Sequence, residues 1–332
     1  MKADMLKRVV RAIADGSQTD LERLADRIVD GERQAGHRSL ADELEAILKR
    51  SRPHADRHSA PPDSRNLREL PLNRRRGDLL ATISVAESLE HHMVLPSVTE
   101  ERFSRIEREY AARARLGLYG LRPRRTVLLY GPPGCGKSLG AKRLAWNTGL
   151  PLLKVRFDAL ISSYFGESAA NLRAIFVAAE EKPCVLLLDE CDFIARSRTN
   201  SKDIGEASRI VNTLLQLMED FNAPGLLVAT TNIESSLDSA LFRRFDDVFL
   251  VPLPGPDEVE KLLRLALSTV MLVEPIDWAY LVTLLKGAPA AMVVKAAQDA
   301  AKAAVLSGQK AVRQHHLEQA IAELQRQGPQ GD

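Results

Sequence analysis

The sequence predicts an α/β protein: a parallel β-sheet covered by helices, with a small helical bundle before it and an all-helical unit after it. Three observations carry this. Short apolar runs stand at Val127–Tyr130, Val185–Leu188 and Leu226–Ala229. Helical spacing fills the intervals, near 137–148, 169–181 and 206–220. From 257 to 326 the strand-like runs disappear and about four helices remain. Short unbroken apolar strands alternating with helices imply a parallel sheet buried on both faces.

The 332 residues suit two or three compact units. In residues 1–50, Leu6, Val9, Val10 and Ile13 follow helical spacing, then Gly16-Ser17 interrupts. Thr19 or Asp20 caps a second helix with Leu21, Leu24, Ile28 and Val29, ended near Gly31, and Ser39 caps a third. Each apolar face needs a partner, so a three-helix bundle is expected, serving either docking or plain assembly. Residues 51–78 are rich in Pro, Arg and Ser and read as a linker. Residues 79–116 are expected as a helical segment leading into the core, with Phe103, Ile106, Tyr110 and Leu116 on one side of a helix over 99–116. The core is expected over 117–255 and the helical unit over 256–328.

Whole-chain properties exclude several classes of function. A net charge of +2 supplies no global basic field, so nucleic acid is not an expected partner. No run approaches the ~18 apolar residues that span a bilayer, and MKADMLKRVV lacks a signal-peptide core. Cys135, Cys184 and Cys191 form no CxxC pair, so neither a disulfide framework nor a zinc site is expected. The expected setting is the cytoplasm, with no membrane partner. HExxH is absent, and the adjacent pairs His91–His92 and His315–His316 diverge on a helix.

The chemistry-bearing residues cluster where the strands end. Gly131-Pro132-Pro133-Gly134-Cys135-Gly136-Lys137-Ser138 follows one apolar run and opens a helix. Glycines let backbone N–H groups turn inward around phosphate oxygens, and the helix N-terminus adds positive potential. Lys137 is placed to reach β- and γ-phosphates, and Ser138 to offer a hydroxyl to Mg²⁺. A helix N-terminus also favours a thiolate, so Cys135 is either a redox-sensitive residue or merely a small residue in a tolerant position. The run Val185–Leu188 ends in Asp189-Glu190. Asp189 suits a Mg²⁺ ligand and Glu190 suits orienting an attacking water. Asn232 follows the next strand, where it could bond the γ-phosphate or simply form a turn. Tyr164-Phe165-Gly166 puts two aromatics in a polar loop, which core packing explains poorly.

Taken in order, these elements resemble the AAA family of ATPases, in its classical clade, over about residues 117–326. The resemblance rests on LRPRRTVLLYGPPG (121–134), SSYFGESAANLR (162–173), RIVNTLL (209–215) and the stretch Leu237–Asp246 in a compact RRF form similar to that of katanin and spastin. It implies ATP and Mg²⁺ as ligands, with nucleotide contacts from the loop through Leu139, and from Gly287 and Ala290 in the lid. Ala290 stands where the family carries glycine. It also implies a homo-oligomeric ring, usually a hexamer, in which Arg243 and Arg244 reach the neighbouring subunit's nucleotide. Tyr164, Phe165 and Gly166 would then line a central pore and grip a protein substrate. A separately encoded effector such as a peptidase is a possible partner of such a motor, and a nucleic-acid-linked ATPase is the alternative.

Overall fold

The structure is a computed structural model of the chain. It describes scattered helical positions between 21 and 45, then residues 79–160, 167–191, 204–232, 243–273, 275–309 and 311–327. The chain divides into two compact units, residues 1–63 and 64–332.

In the first unit Leu21, Leu24, Ala25, Ile28 and Val29 are helical, and Leu24 and Val29 are buried. The spacing of these apolar residues is the reason: they recur on one helical face. Asp42, Leu44 and Glu45 are helical too. Arg33 bridges the two stretches, with Nη2 3.2 Å from Asp42 and 2.7 Å from Glu45. The linker expected over 51–78 lies outside the described residues.

The second unit is built on a six-stranded sheet. Its strands are β1 (Ala81–Ser84), β2 (Thr126–Tyr130), β3 (Leu152–Val155), β4 (Val185–Leu188), β5 (Leu226–Thr231) and β6 (Asp247–Leu250), in the order β1-β3-β4-β5-β2-β6. All pairs are parallel except β1 with β3. Side chains alternate across the sheet, as strand geometry requires. Val127 and Leu129 of β2 join Val185 and Leu187 of β4 in a cluster on one face. Leu128 joins Leu186, Leu188 and Leu227 in a cluster on the other. Two buried faces explain why these strands read as continuous apolar runs.

Helix α1 (Ser97–Ala111) and the short α2 (Arg113–Leu118) precede β2. Helix α3 (Lys137–Thr148) follows it and packs with α1 through Phe103, Ile106, Ala141 and Leu144. A charged clamp reinforces this pair: the Arg143 guanidinium meets both Glu100 oxygens at 2.5 and 2.6 Å, and Glu107 at 2.9 Å. Helix α4 (Phe157–Leu160), α5 (Glu167–Glu181) and α6 (Ile204–Glu219) complete the opposite layer. Leu172, Ile175 and Phe176 of α5 and Val211 and Leu214 of α6 fill the cluster there.

Four C-terminal helices follow: α7 (Pro256–Leu267), α8 (Trp278–Leu284), α9 (Ala290–Leu306) and α10 (Gln314–Gln327). They enclose a separate core of Leu263, Leu281, Val293, Ala297, Leu317 and Ile321. Alanines every third or fourth position along α9 let the other helices approach closely.

Two expectations are corrected. Residues 79–116 are not helical throughout: Ala81–Ser84 is an edge strand of the core sheet, paired with β3 from Ala81↔Val155 to Ser84↔Leu152. Four residues give too short an alternation to announce a strand. Residues 256–328 are not strand-free: β7 (Met271–Leu272) and β8 (Ala311–Val312) pair in parallel between the helices. Pairs of two residues carry no periodicity.

Candidate nucleotide-binding site

The strand order places three strand ends side by side. β5 lies between β2 and β4, so the loop after β2, the acids after β4 and the tip of β5 converge. Ligands of open parallel sheets bind at these carboxyl ends.

The loop Gly131–Gly136 is shaped by positions that side chains would spoil. Gly131 has φ +141°, and a Cβ there would stand 2.4 Å from the Val251 carbonyl oxygen. Gly134 and Gly136 hold left-handed φ values of +76° and +94°, and α3 starts directly after. Lys137 is buried, with Nζ donating to the Gly131 carbonyl at 2.8 Å and to Pro132 at 2.7 Å. Its ammonium therefore lies inside the curl of the loop. Cys135 is buried. Burial pushes its thiol pKa up, and the Lys137 charge only partly opposes that. Of the two readings of Cys135, the raised thiol favours the small buried residue over the reactive one.

Asp189 accepts three hydrogen bonds. Ser138 Oγ donates to Oδ1 at 2.7 Å, Thr230 Oγ1 donates to the same oxygen at 2.8 Å, and Lys154 Nζ donates to Oδ2 at 2.6 Å. Burial works to raise its pKa, but these bonds and the Lys154 charge outweigh it and hold the carboxyl below its ordinary range. Ser138 and Asp189, 51 positions apart in sequence, thus meet as one polar pair. Glu190 is exposed beside them, in a left-handed conformation with φ 57°. Its N–H donates to Thr230 Oγ1 at 2.9 Å, and the next N–H, of Cys191, donates to the Thr230 carbonyl at 2.8 Å. Asn232 follows β5 directly and is half-buried.

Neither Thr230 nor Lys154 was expected as a site residue. The available signal for Lys154 is a lone charge inside the otherwise buried strand Leu152–Val155. Thr230 is a buried hydroxyl at the end of an apolar strand, but a threonine there is also an ordinary strand residue.

The C-terminal helical unit reaches the loop. Ala291 N–H, in the first turn of α9, donates to the Gly134 carbonyl at 2.9 Å. A Cβ on Gly134 would lie 3.2 Å from Pro289 Cβ. Ala290 stands at this junction, at the start of α9, and Gly287 forms the turn before it with φ +78°. On the other side the Met93 methyl lies 3.4 Å from where a Gly136 Cβ would be. Arg243 is exposed, and Arg244 pairs with Glu219 at 3.2 Å. Tyr164, Phe165 and Gly166 lie outside the described residues.

Residues 127–253 match the model of the AAA family, "ATPase family associated with various cellular activities". The chain is 32% identical over 320 residues to the uncharacterized AAA family ATPase y4kL of Sinorhizobium fredii (strain NBRC 101917 / NGR234), covering 96% of this chain and 94% of that protein. The chain belongs to the AAA family of ATPases. This AAA ATPase is also 37% identical over 179 residues to the proteasome-activating nucleotidase of Methanothermobacter thermautotrophicus, 52% of this chain and 44% of that protein. With proteasome-activating nucleotidase 2 of Halobacterium salinarum it shares 32% identity over 216 residues, 63% of this chain and 53% of that protein. The AAA ATPase thus spans about half the length of these two nucleotidases.

The site of the AAA ATPase fits a nucleotide with Mg²⁺. The loop curls where only glycine can stand, around the one buried ammonium it holds. Among the described residues no three His, Cys, Asp or Glu side chains converge as a metal cage. Mg²⁺ characteristically takes few protein ligands and leans on substrate phosphates, which matches one hydroxyl and one carboxylate. No helix among the described residues is long and apolar enough to cross a membrane.

Proposed function

We propose that this AAA ATPase hydrolyses ATP with Mg²⁺ and uses the energy to remodel protein substrates. The observation that carries the hydrolytic part is the Ser138–Asp189 pair at 2.7 Å, directly beside the glycine loop and Glu190. Loop N–H groups from Gly131 to Ser138 cradle the phosphates, with Pro132, Pro133, Cys135 and Leu139 shaping the curl. Lys137 leaves its carbonyl partners to neutralise the β- and γ-phosphates. Ser138 and Asp189 would hold Mg²⁺. When bound, Mg²⁺ neutralises charge on the phosphate oxygens. Glu190 orients the attacking water and takes its proton, and Asn232 fixes that water from the neighbouring strand tip. Gly287 and Ala290 set the lid side of the nucleotide pocket.

The remodelling part rests on relatives whose names describe a proteasome-activating nucleotidase. Their similarity supports a homo-oligomeric ring acting on protein chains, with Arg243 and Arg244 supplied to the adjacent subunit's γ-phosphate. In that reading Tyr164, Phe165 and Gly166 form the gripping loop. Residues 1–50 would serve either to dock substrate or a separately encoded effector, or as an assembly element. Mg²⁺-dependent phosphate release by the purified chain tests the first part. Tyr164→Ala should keep phosphate release and lose unfolding of a tagged model substrate. Unfolding at the unsubstituted rate would remove the threading role.

A further inference from the structure

Lys154 is the one residue of β3 that is not buried. It sits in register with Leu187 on β4, two residues before Asp189. Its Nζ lies 2.6 Å from Asp189 Oδ2, the oxygen that neither Ser138 nor Thr230 occupies. The Asp189 side chain is 10% exposed, whereas that of Lys154 is 48% exposed. A carboxylate this buried needs a cation, because an uncompensated buried charge is strongly unfavourable. Lys137 donates to the Gly131 and Pro132 carbonyls, and the ammonium that contacts Asp189 Oδ2 is that of Lys154, on a flexible and half-solvated stem.

We infer that Lys154 is a tethered counter-cation for Asp189, which occupies the carboxylate in the metal-free protein and yields it when Mg²⁺ arrives with the nucleotide. The inference rests on the proposed metal role of Asp189. Two cations facing one carboxylate oxygen repel, so Lys154 and Mg²⁺ compete. A lysine ammonium is a point charge on four rotatable carbons, and solvent is open to it when displaced. Lys154 therefore acts as a positioning residue with two opposite effects. It helps nucleotide bind without metal, by masking a carboxylate that would repel phosphate. It hinders nucleotide binding with metal, by contesting the metal's place.

These opposed signs supply the test. A fluorescent, hydrolysis-resistant ATP analogue is titrated into the full chain and its Lys154→Met and Lys154→Arg variants, with Mg²⁺ and with EDTA. In Lys154→Met the Kd in EDTA should rise and the Kd in Mg²⁺ should fall, widening their ratio by about fivefold, the scale of a half-exposed ion pair. Lys154→Arg keeps the charge and should keep the ratio. Equal ratios in all three proteins, or both Kd values rising together in Lys154→Met, would overturn the inference. Should Lys154→Met fail to fold, Lys154→Gln gives the same comparison with a polar stem of similar reach. Binding by the unsubstituted chain that ignores Mg²⁺ would instead remove the metal role of Asp189, and the inference with it.

Discussion

Thr230 fixes Glu190 without touching its carboxylate. Its hydroxyl oxygen accepts the Glu190 N–H at 2.9 Å, while the same hydroxyl donates to Asp189 at 2.8 Å. Glu190 needs such an anchor, because it holds φ 57°. A left-handed conformation costs a residue with a side chain roughly 1–2 kcal/mol. Thr230 thus determines where the Glu190 side chain starts.

Thr230→Val keeps the volume and loses the anchor. On the proposed role of Glu190, kcat for ATP should fall by about tenfold or more, from the lost anchor together with the lost hydrogen bond to the Asp189 carboxylate. Binding of the fluorescent ATP analogue should change far less, since the glycine loop is untouched. Thr230→Ser restores the hydroxyl and should recover most of the rate. A valine variant with the unsubstituted kcat would show that the anchor is structural only.

Glu190→Gln tests the carboxylate itself. The side chain is exposed and is not part of the Ser138–Asp189–Thr230–Lys154 cluster. Its loss should therefore leave folding and nucleotide affinity intact. Phosphate release should drop by about 100-fold or more, as for removal of a general base. Single-turnover phosphate release separates this from slow product departure.

The loop, the acids and the three central strands were legible because each is written in contiguous residues: GPPGCGKS, VLLLDE and LLVATTN. The edges of the sheet were not. β1 joins through four antiparallel pairs with a strand more than 60 residues later, and nothing local in Ala81–Ser84 announces that partner. Cys135 left two readings open for a related reason. Its position beside a helix N-terminus is local, but the burial that raises its thiol pKa is assembled from distant chain. Lys154 shows the same limit, since its meaning depends on the register that sets β3 beside β4.

Gly140 sets up a contest between two opposing effects. It lies inside α3, where alanine is preferred over glycine by about 1 kcal/mol. Yet a Cβ there would stand 2.7 Å from Phe103 Cζ and 3.1 Å from Leu129 Cδ1. Phe103 is fully buried and edge-on to Phe249, so it has nowhere to retreat. Overpacking of this kind costs about 1–3 kcal/mol and should win. Gly140→Ala should lower the urea midpoint, and a raised midpoint would mean that α1 can shift outward.

Cys184 should make stability fall at alkaline pH. Burial pushes its thiol pKa from an ordinary 9.0 up to about 12. The folded state therefore keeps the proton through a range in which the unfolded chain releases it. Stability from this group is fully present below pH 9 and is lost progressively as pH rises toward the folded value. Over that whole window the loss amounts to a few kcal/mol. Cys184→Ala removes the titration and leaves a small cavity, so it should be less stable than the unsubstituted chain at pH 7 by about 1 kcal/mol. The two unfolding free energies should then converge between pH 9 and 10.5, and parallel curves across that range would show that the thiol titrates alike in both states.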